Sequence, residues 1–184
     1  MKGGTLANSS VTTKRRELDF YPTPPDVTVA LMEFLNLDEN MTIWEPACGD
    51  GAMSEVLVRY AHVVHATELR EDGGYGVGGV DFLQTIKPVD AIITNPPFNI
   101  SEQFILHSLG QAKIVAMLLK SQYWHAKKRT SLFEQFPPAF VLPLNWRPDF
   151  TGGERGGAPT MEVAWTVWIQ GQTDTRYQIL RRPE

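Results

Sequence analysis

Short apolar strands alternating with helical stretches predict an open α/β sheet, largely parallel, with helices on both faces. Two further features support this. A Gly-x-Gly turn, "CGDG" at 48–51, separates the first strand from a helical stretch. The last two apolar runs, "AFVLPL" and "EVAWTVW", are joined by a polar, glycine-rich segment without a helix, so they are expected to pair antiparallel.

Taken in order, residues 1–16 are polar, glycine-containing and aperiodic, and read as a flexible N-terminal arm. Residues 17–184 then form a single domain, long enough to bury roughly 70% of its unfolded surface. In "DFYPTPPDVTVALMEFLNL", Val27, Val29, Ala30, Leu31, Phe34 and Leu35 fall mostly on one helical face, with Pro24 and Pro25 suited to the helix start. "TIWEPACGDGAMSEVLVRYA" reads as strand, glycine turn and helix, and "HVVHATEL" as a second strand followed by the loop "REDGGYGVGG". "VDFL" is a marginal third strand and "DAIITNPP" a fourth. "SEQFILHSLG" is a helix with a serine cap, Glu102 in its first turn and glycine past its end. "AKIVAMLL", "AFVLPL" and "MEVAWTVWIQ" supply strands five to seven, and "TGGERGGAP" at 151–159 reads as a flexible loop.

Composition excludes several classes. The single cysteine, Cys48, rules out an internal disulfide and a cysteine-based zinc cage, which suits a reducing compartment. No signal-peptide core opens the chain, and no run approaches the ~20 apolar residues of a membrane span, so a cytoplasmic protein is expected. The four histidines lack ligand spacing beyond His62 and His65, and no metal is expected. A formal net charge of -4 is not that of a typical nucleic-acid binder, yet Lys14-Arg15-Arg16, Lys127-Lys128-Arg129 and Arg181-Arg182 are local basic clusters.

In open α/β sheets ligands sit beyond the carboxyl ends of the strands. Gly49 and Gly51 follow the first strand, where glycine permits positive φ and close approach of a ligand to the backbone. A helix start beyond them would offer free N–H groups to an anion. The third glycine of the dinucleotide fingerprint is absent, so the turn alone suits a nicotinamide site or a tight structural bend. Glu68 ends the second strand about 20 residues on, where a carboxylate can accept both ribose hydroxyls. Asp81 and Phe82 offer a carboxylate for an adenine amino group and a ring for the base. An exposed strand end for Glu68 and a helix cap for Asp81 are the structural alternatives.

"AIITNPPFNISEQF" ends a buried-looking strand in Asn95-Pro96-Pro97-Phe98. Two prolines cannot continue a central strand and disfavour a helix at the residue before them. Asn95 has a side-chain carbonyl, and Pro96 has a backbone carbonyl without an N–H. Held rigidly, this pair can accept both hydrogens of an exocyclic –NH₂, whose lone pair is otherwise delocalised into its ring. The acceptors favour the positive charge that develops as the nitrogen attacks. Phe98 provides a stacking surface for the ring.

"DFYPTPPDV", "WEPACGDG", "ATEL", "DF" and "NPPF", in this order, resemble the S-adenosylmethionine-dependent N6-adenine DNA methyltransferases. The resemblance covers 19 to about 170 and is to the class whose cofactor motifs precede the catalytic tetrapeptide, which includes phage-encoded members. It implies a class I methyltransferase Rossmann-like fold with seven strands, the last antiparallel. By position, it implies that Tyr21 and Thr23 contact the methionine moiety of the cofactor, and that Glu45, Pro46, Ala47, Gly49, Asp50 and Gly51 form its pocket. Glu68 with Leu69 would hold the ribose, and Asp81 and Phe82 the adenine. Asn95, Pro96, Pro97 and Phe98 would bind a base flipped out of double-stranded DNA. An aromatic after the sixth strand would lie on the base's other face, Phe150 being preferred over Trp146, though an aromatic capping the sheet end fits either.

Two departures matter. The Asn-to-Phe tetrapeptide is also seen in RNA amino-group methyltransferases and is close to that of release-factor glutamine methyltransferases. Larger members also append a target-recognition domain, whereas about 14 residues follow the seventh strand here. Target reading is therefore expected from loops, chiefly "KSQYWHAKKRTSLFEQFPP" and "NWRPDFTGGERGGAP". The first interleaves Trp124 with Lys127, Lys128 and Arg129, as base-stacking and phosphate-binding surfaces do. An RNA amine and a non-catalytic cofactor-binding subunit are the alternatives. A release-factor enzyme fits less well, because only about 40 residues precede the first strand.

Overall fold

Alternate residues along a strand point to opposite faces of its sheet. Here Ile43, Ala91, Ile93, Ala116 and Leu118 enter one core, while Trp44, Ile92, Val115, Met117 and Leu119 enter the other. A computed structural model describes residues 22–72, 74–150 and 161–184. The N-terminal arm and the glycine-rich loop at 151–159 lie outside the described residues.

The strands are β1 (Thr42–Glu45), β2 (Val63–Ala66), β3 (Val89–Thr94), β4 (Ala112–Lys120), β5 (Phe140–Pro143), β6 (Val163–Ile169) and β7 (Arg176–Tyr177). They form one seven-stranded sheet ordered β2-β1-β3-β4-β6-β5-β7. Only β6 runs against its neighbours, antiparallel to both β4 and β5. The expected antiparallel pairing of the two late apolar runs is therefore present.

The helices are α1 (Pro25–Leu35), α2 (Ser54–Leu57), α3 (Ser101–Leu109) and α4 (Thr130–Gln135). Val27 and Leu31 of α1 and Leu57 of α2 cover the first face, and Phe104, Ile105 and Leu132 of α3 and α4 cover the second. Proline occupies the first turn of α1, where its missing N–H costs nothing. The helix ends at Asn36, a left-handed residue with φ 43° whose N–H donates to the Met32 carbonyl at 3.0 Å. The indole N–H of Trp165 on β6 donates to the Val27 carbonyl at 3.0 Å and ties α1 to the sheet.

Four local readings need correction. "VDFL" is not a strand: Asp81 accepts from the Leu83 N–H at 2.9 Å, closing a 3-10 turn over Phe82–Gln84 that drives the Phe82 ring into the core. Beside β2, the following loop makes an isolated parallel bridge between Thr67 and Val77. The seventh strand comes instead from Arg176–Tyr177, which pairs with β5. Ser101 is not the cap of α3 but its first residue, and its hydroxyl donates to the Phe98 carbonyl at 3.1 Å. The segment after β4 is not loop throughout: 3-10 turns at Ser121–His125 and Lys127–Arg129 lead into α4, because Tyr123 and Leu132 reach the second core.

Ile93 is fully buried in the central strand whose tip carries the Asn-Pro-Pro-Phe segment. Ile93→Ala is expected to lower unfolding stability by ~2–5 kcal/mol, read as a lower urea midpoint with an unchanged slope.

Candidate active site

β1 and β3 are adjacent and parallel, with Ile43 opposite Ala91 and Trp44 opposite Ile92. This register puts the turn after β1 and the tip of β3 side by side. In the turn, Gly49 has φ 56° and Gly51 φ 90°. A side chain on Gly51 would run into the ring of Tyr75, which lies across the turn from the loop after β2. Gly76 is equally constrained, because a Cβ there would collide with the Ala66 carbonyl. That loop is thus packed onto the glycine turn. Asp50 is exposed, and its carboxylate accepts from the Ala52 N–H at 3.2 Å. Pro46 is buried and Ala47 half-buried. With only four residues, α2 is too short to provide the anion-binding helix start expected from the sequence.

Two carboxylates line this region. Glu68 is half-buried and points into the turn, one oxygen accepting from the Gly49 N–H at 2.9 Å. Its other oxygen accepts from the Leu69 N–H at 2.9 Å and lies 3.7 Å from the Arg70 guanidinium. Leu69 itself is exposed. Glu45 is 2% exposed and hydrogen-bonds the Ser54 hydroxyl. Burial pushes its pKa up to about 8; the Ser54 bond opposes this, and the negative Asp50 and Glu68 add to it. The neighbouring Cys48 thiol is pushed up to about 11, first by burial and then by Glu45, which suits a packing residue rather than a nucleophile.

The Val80 N–H donates to the Glu68 carbonyl at 2.9 Å, bringing Asp81 alongside. Asp81 is exposed and uses one oxygen as the 3-10 cap. Phe82 is 2% exposed, with its ring against Trp44 at 5.0 Å, Phe104 at 4.7 Å and His107 at 4.8 Å. Its ring belongs to the core, behind any surface that a base would meet.

At the tip of β3, the Asn95 amide N–H donates to the Thr23 hydroxyl at 3.1 Å. Thr23 is buried, ahead of α1, and holds Asn95 from outside the sheet. Pro96 is buried, while Pro97 and Phe98 are half-buried. The Ile100 N–H donates to the Pro97 carbonyl at 3.2 Å, anchoring the tetrapeptide to the start of α3. The Lys120 ammonium, at the end of β4, lies 3.8 Å from the centroid of the Phe98 ring.

The other predicted contacts divide. Lys127 and Lys128 are exposed. Arg129 stacks over Tyr123 at 3.6 Å and donates to the Tyr123 carbonyl at 3.1 Å, so its guanidinium braces its own segment. Trp124 stacks on Phe133 at 4.1 Å. Phe150 is 8% exposed and packs in the first core, whereas Trp146 is half-buried and lines a cleft of about 290 Å³ with Ser121, Pro143, Arg147 and Glu162. Among the described residues, the buried Trp146 indole N–H has no hydrogen-bond partner. Tyr21 lies outside the described residues. Sequence reasoning missed Ser54, Tyr75 and Lys120. Tyr75 alone carried a signal, as the one aromatic in a run of glycines.

No protein-family profile matches the sequence. A search of curated proteins likewise finds no match. Solved structures do match. One, provisionally described as an RNA methyltransferase from Pyrococcus horikoshii, is 18% identical with a TM-score of 0.65, over 83% of this chain and 87% of that one. The type I restriction-modification methyltransferase subunit from Streptococcus thermophilus is 14% identical with a TM-score of 0.68, over 86% of this chain. The present chain spans 47% of that subunit's length. A protein from Listeria monocytogenes, provisionally described as a class I S-adenosylmethionine-dependent methyltransferase, is 14% identical with a TM-score of 0.59, over 86% of this chain and 64% of that one. The fold is therefore the class I methyltransferase Rossmann-like fold. Among the described residues, no helix is long and apolar enough to cross a membrane, and no cluster of three metal-ligating side chains occurs.

The folded protein holds the Glu45 proton up to about pH 8, whereas the ordinary value is 4.5. The stability linked to this proton is fully present below 4.5 and is lost as pH rises through 8. In Glu45→Gln the decline across this window should flatten in urea titrations at stepped pH. An unchanged slope would assign the decline to another group.

Proposed function

We propose that the protein transfers a methyl group from S-adenosylmethionine to the exocyclic N6 amine of adenine in double-stranded DNA, with the base rotated out of the helix at a cost of a few kcal/mol. The observation that carries this reading is the Thr23–Asn95 hydrogen bond beside the rigid Pro96. The bond from its –NH₂ to Thr23 fixes the Asn95 amide so that its oxygen is the side-chain acceptor at this tip, the group that would receive a substrate amine. The Pro96 carbonyl is the natural second acceptor. Together they hold both amine hydrogens and stabilise positive charge growing on the nitrogen. Phe98 stacks on the base, an interaction worth ~1–3 kcal/mol.

The cofactor would lie along the turn from Glu45 to Gly51, in contact with Pro46, Ala47, Gly49 and Asp50. Glu68 would take the ribose beside Leu69, and Asp81 the adenine, with Phe82 as the buried wall behind it. Tyr21 and Thr23 would approach its methionine end. The residues fit such a ligand: carboxylates at 50, 68 and 81 border the bend, matching a molecule with a positive sulfonium, an ammonium and a diol. When bound, it supplies an activated methyl group on sulfur. The role of this chain is to place the nitrogen, exclude water and hold the amine protons. Trp124, Lys127, Lys128 and Arg129 would border the nucleic acid, with Phe150 or Trp146 on the base's far side.

One observation favours a second substrate, an exocyclic amine in RNA. The Pyrococcus horikoshii protein matches this chain over 87% of its own length, whereas the restriction-modification subunit is matched over 47%.

The deciding assay incubates the protein with tritiated cofactor and, separately, duplex DNA, single-stranded DNA and RNA, followed by digestion to nucleosides. Label on N6-methyldeoxyadenosine from duplex DNA is expected. Label from RNA alone would transfer the reading to the second substrate, and cofactor binding without label would indicate a non-catalytic subunit. Asn95→Ala should lower turnover at least ~100-fold with cofactor affinity little changed. Full activity in that variant would end the amine-grip account.

A further inference from the structure

Lys120 is the last residue of β4, and its side chain turns back so that the ammonium sits 3.8 Å from the centre of the Phe98 ring. Among the described residues no carboxylate pairs with it. An ammonium over a ring is held by the ring's quadrupole, more weakly and less directionally than by a buried ion pair. A planar base stacking on that face would need the space the ammonium occupies. The two are also electrostatically incompatible, since a nearby cation opposes positive charge developing on the attacking nitrogen.

We propose that Lys120 is a substrate-contacting residue that rests on a face of Phe98 and is displaced by the incoming base onto a backbone phosphate. This deepens the preceding reading and rests on it. The flexible four-carbon stem of lysine lets the ammonium move away from the ring without moving the strand. In a polynucleotide the anionic groups next to a flipped base are its own and the neighbouring phosphates. Ring occupancy is thereby exchanged for a phosphate contact, and a substrate without a phosphodiester, such as a free nucleoside or a protein amide, returns the ammonium to water with no anion to receive it. Lys120 is thus a specificity residue for polynucleotides.

The test uses the full-length protein and whichever nucleic acid the wild type methylates. Lys120→Met should raise KM for the oligonucleotide about tenfold and make the dependence of log affinity on log salt shallower by about one. The loss falls on KM and not on kcat, and Lys120→Arg should recover most of it. An independent readout is the NMR shift of the lysine ε-methylene, displaced upfield by the Phe98 ring. That displacement should vanish in Phe98→Leu and when oligonucleotide is added to the wild type. Unchanged KM and salt slope in Lys120→Met, or a ring-shifted signal that persists in the complex, would overturn the role of Lys120 while leaving methylation in place. A wild type that methylates no nucleic acid would overturn both readings.

Discussion

The parallel pairing of β1 with β3 is the constraint on which the rest of the molecule depends. Neither the bend at Gly49–Gly51 nor the tip at Asn95–Phe98 amounts to a site alone, and the register of Ile43 on Ala91 and Trp44 on Ile92 brings them to one edge. Both strands are central and buried on both faces, so slippage by one residue would exchange Ile43 with Trp44 and empty both cores. Packing thereby fixes the chemical geometry. The Thr23 hydroxyl adds a second fixation from the residues ahead of α1, which Trp165 in turn ties to β6.

Charge is divided across this edge. The β1–β2 side carries Asp50, Glu68 and Asp81 around the protonated Glu45, and the β4 side carries Lys120 and, further along, the exposed Lys127 and Lys128. A net charge of -4 hides this polarity because the two halves largely cancel. Glu45 shows what the acidic half costs. It is buried beside other carboxylates and retains its proton, which lets the free protein tolerate an arrangement suited to a cationic ligand.

Most of the sheet was legible because apolar runs of four to nine residues separated by glycine and proline have few other readings. The failures came where tertiary burial outweighed local pattern. "VDFL" has strand propensity, yet a single capped turn buries the Phe82 ring better than an edge strand would. Residues 121–135 look like polar loop, but Tyr123, Leu132 and the Trp124–Phe133 stack fold them onto the second core. Arg176–Tyr177 has no apolar signal and becomes a strand because β5 offers an open ladder. In the candidate site, residue type and position single out Asn95 and Glu68. The hold of Thr23 on the Asn95 amide, Lys120 on Phe98 and Tyr75 across Gly51 cannot be read this way, since each depends on which loops meet in space.

The closing stretch of the chain has a consequence of a different kind. Arg176, Gln178 and Leu180 donate to the carbonyls of Ala139, Val141 and Pro143, and Arg182 reaches Asp26 at 2.9 Å. These residues seal the outer rim of β5 with a short, arginine-bearing strip. Trimmed back to residue 175, the molecule would present a bare row of amides and carbonyls to its neighbours. Such a version would be expected to form fibrils or precipitate at concentrations the intact chain tolerates, and it would also lose Leu180 from the first core, so the strip serves solubility as well as packing.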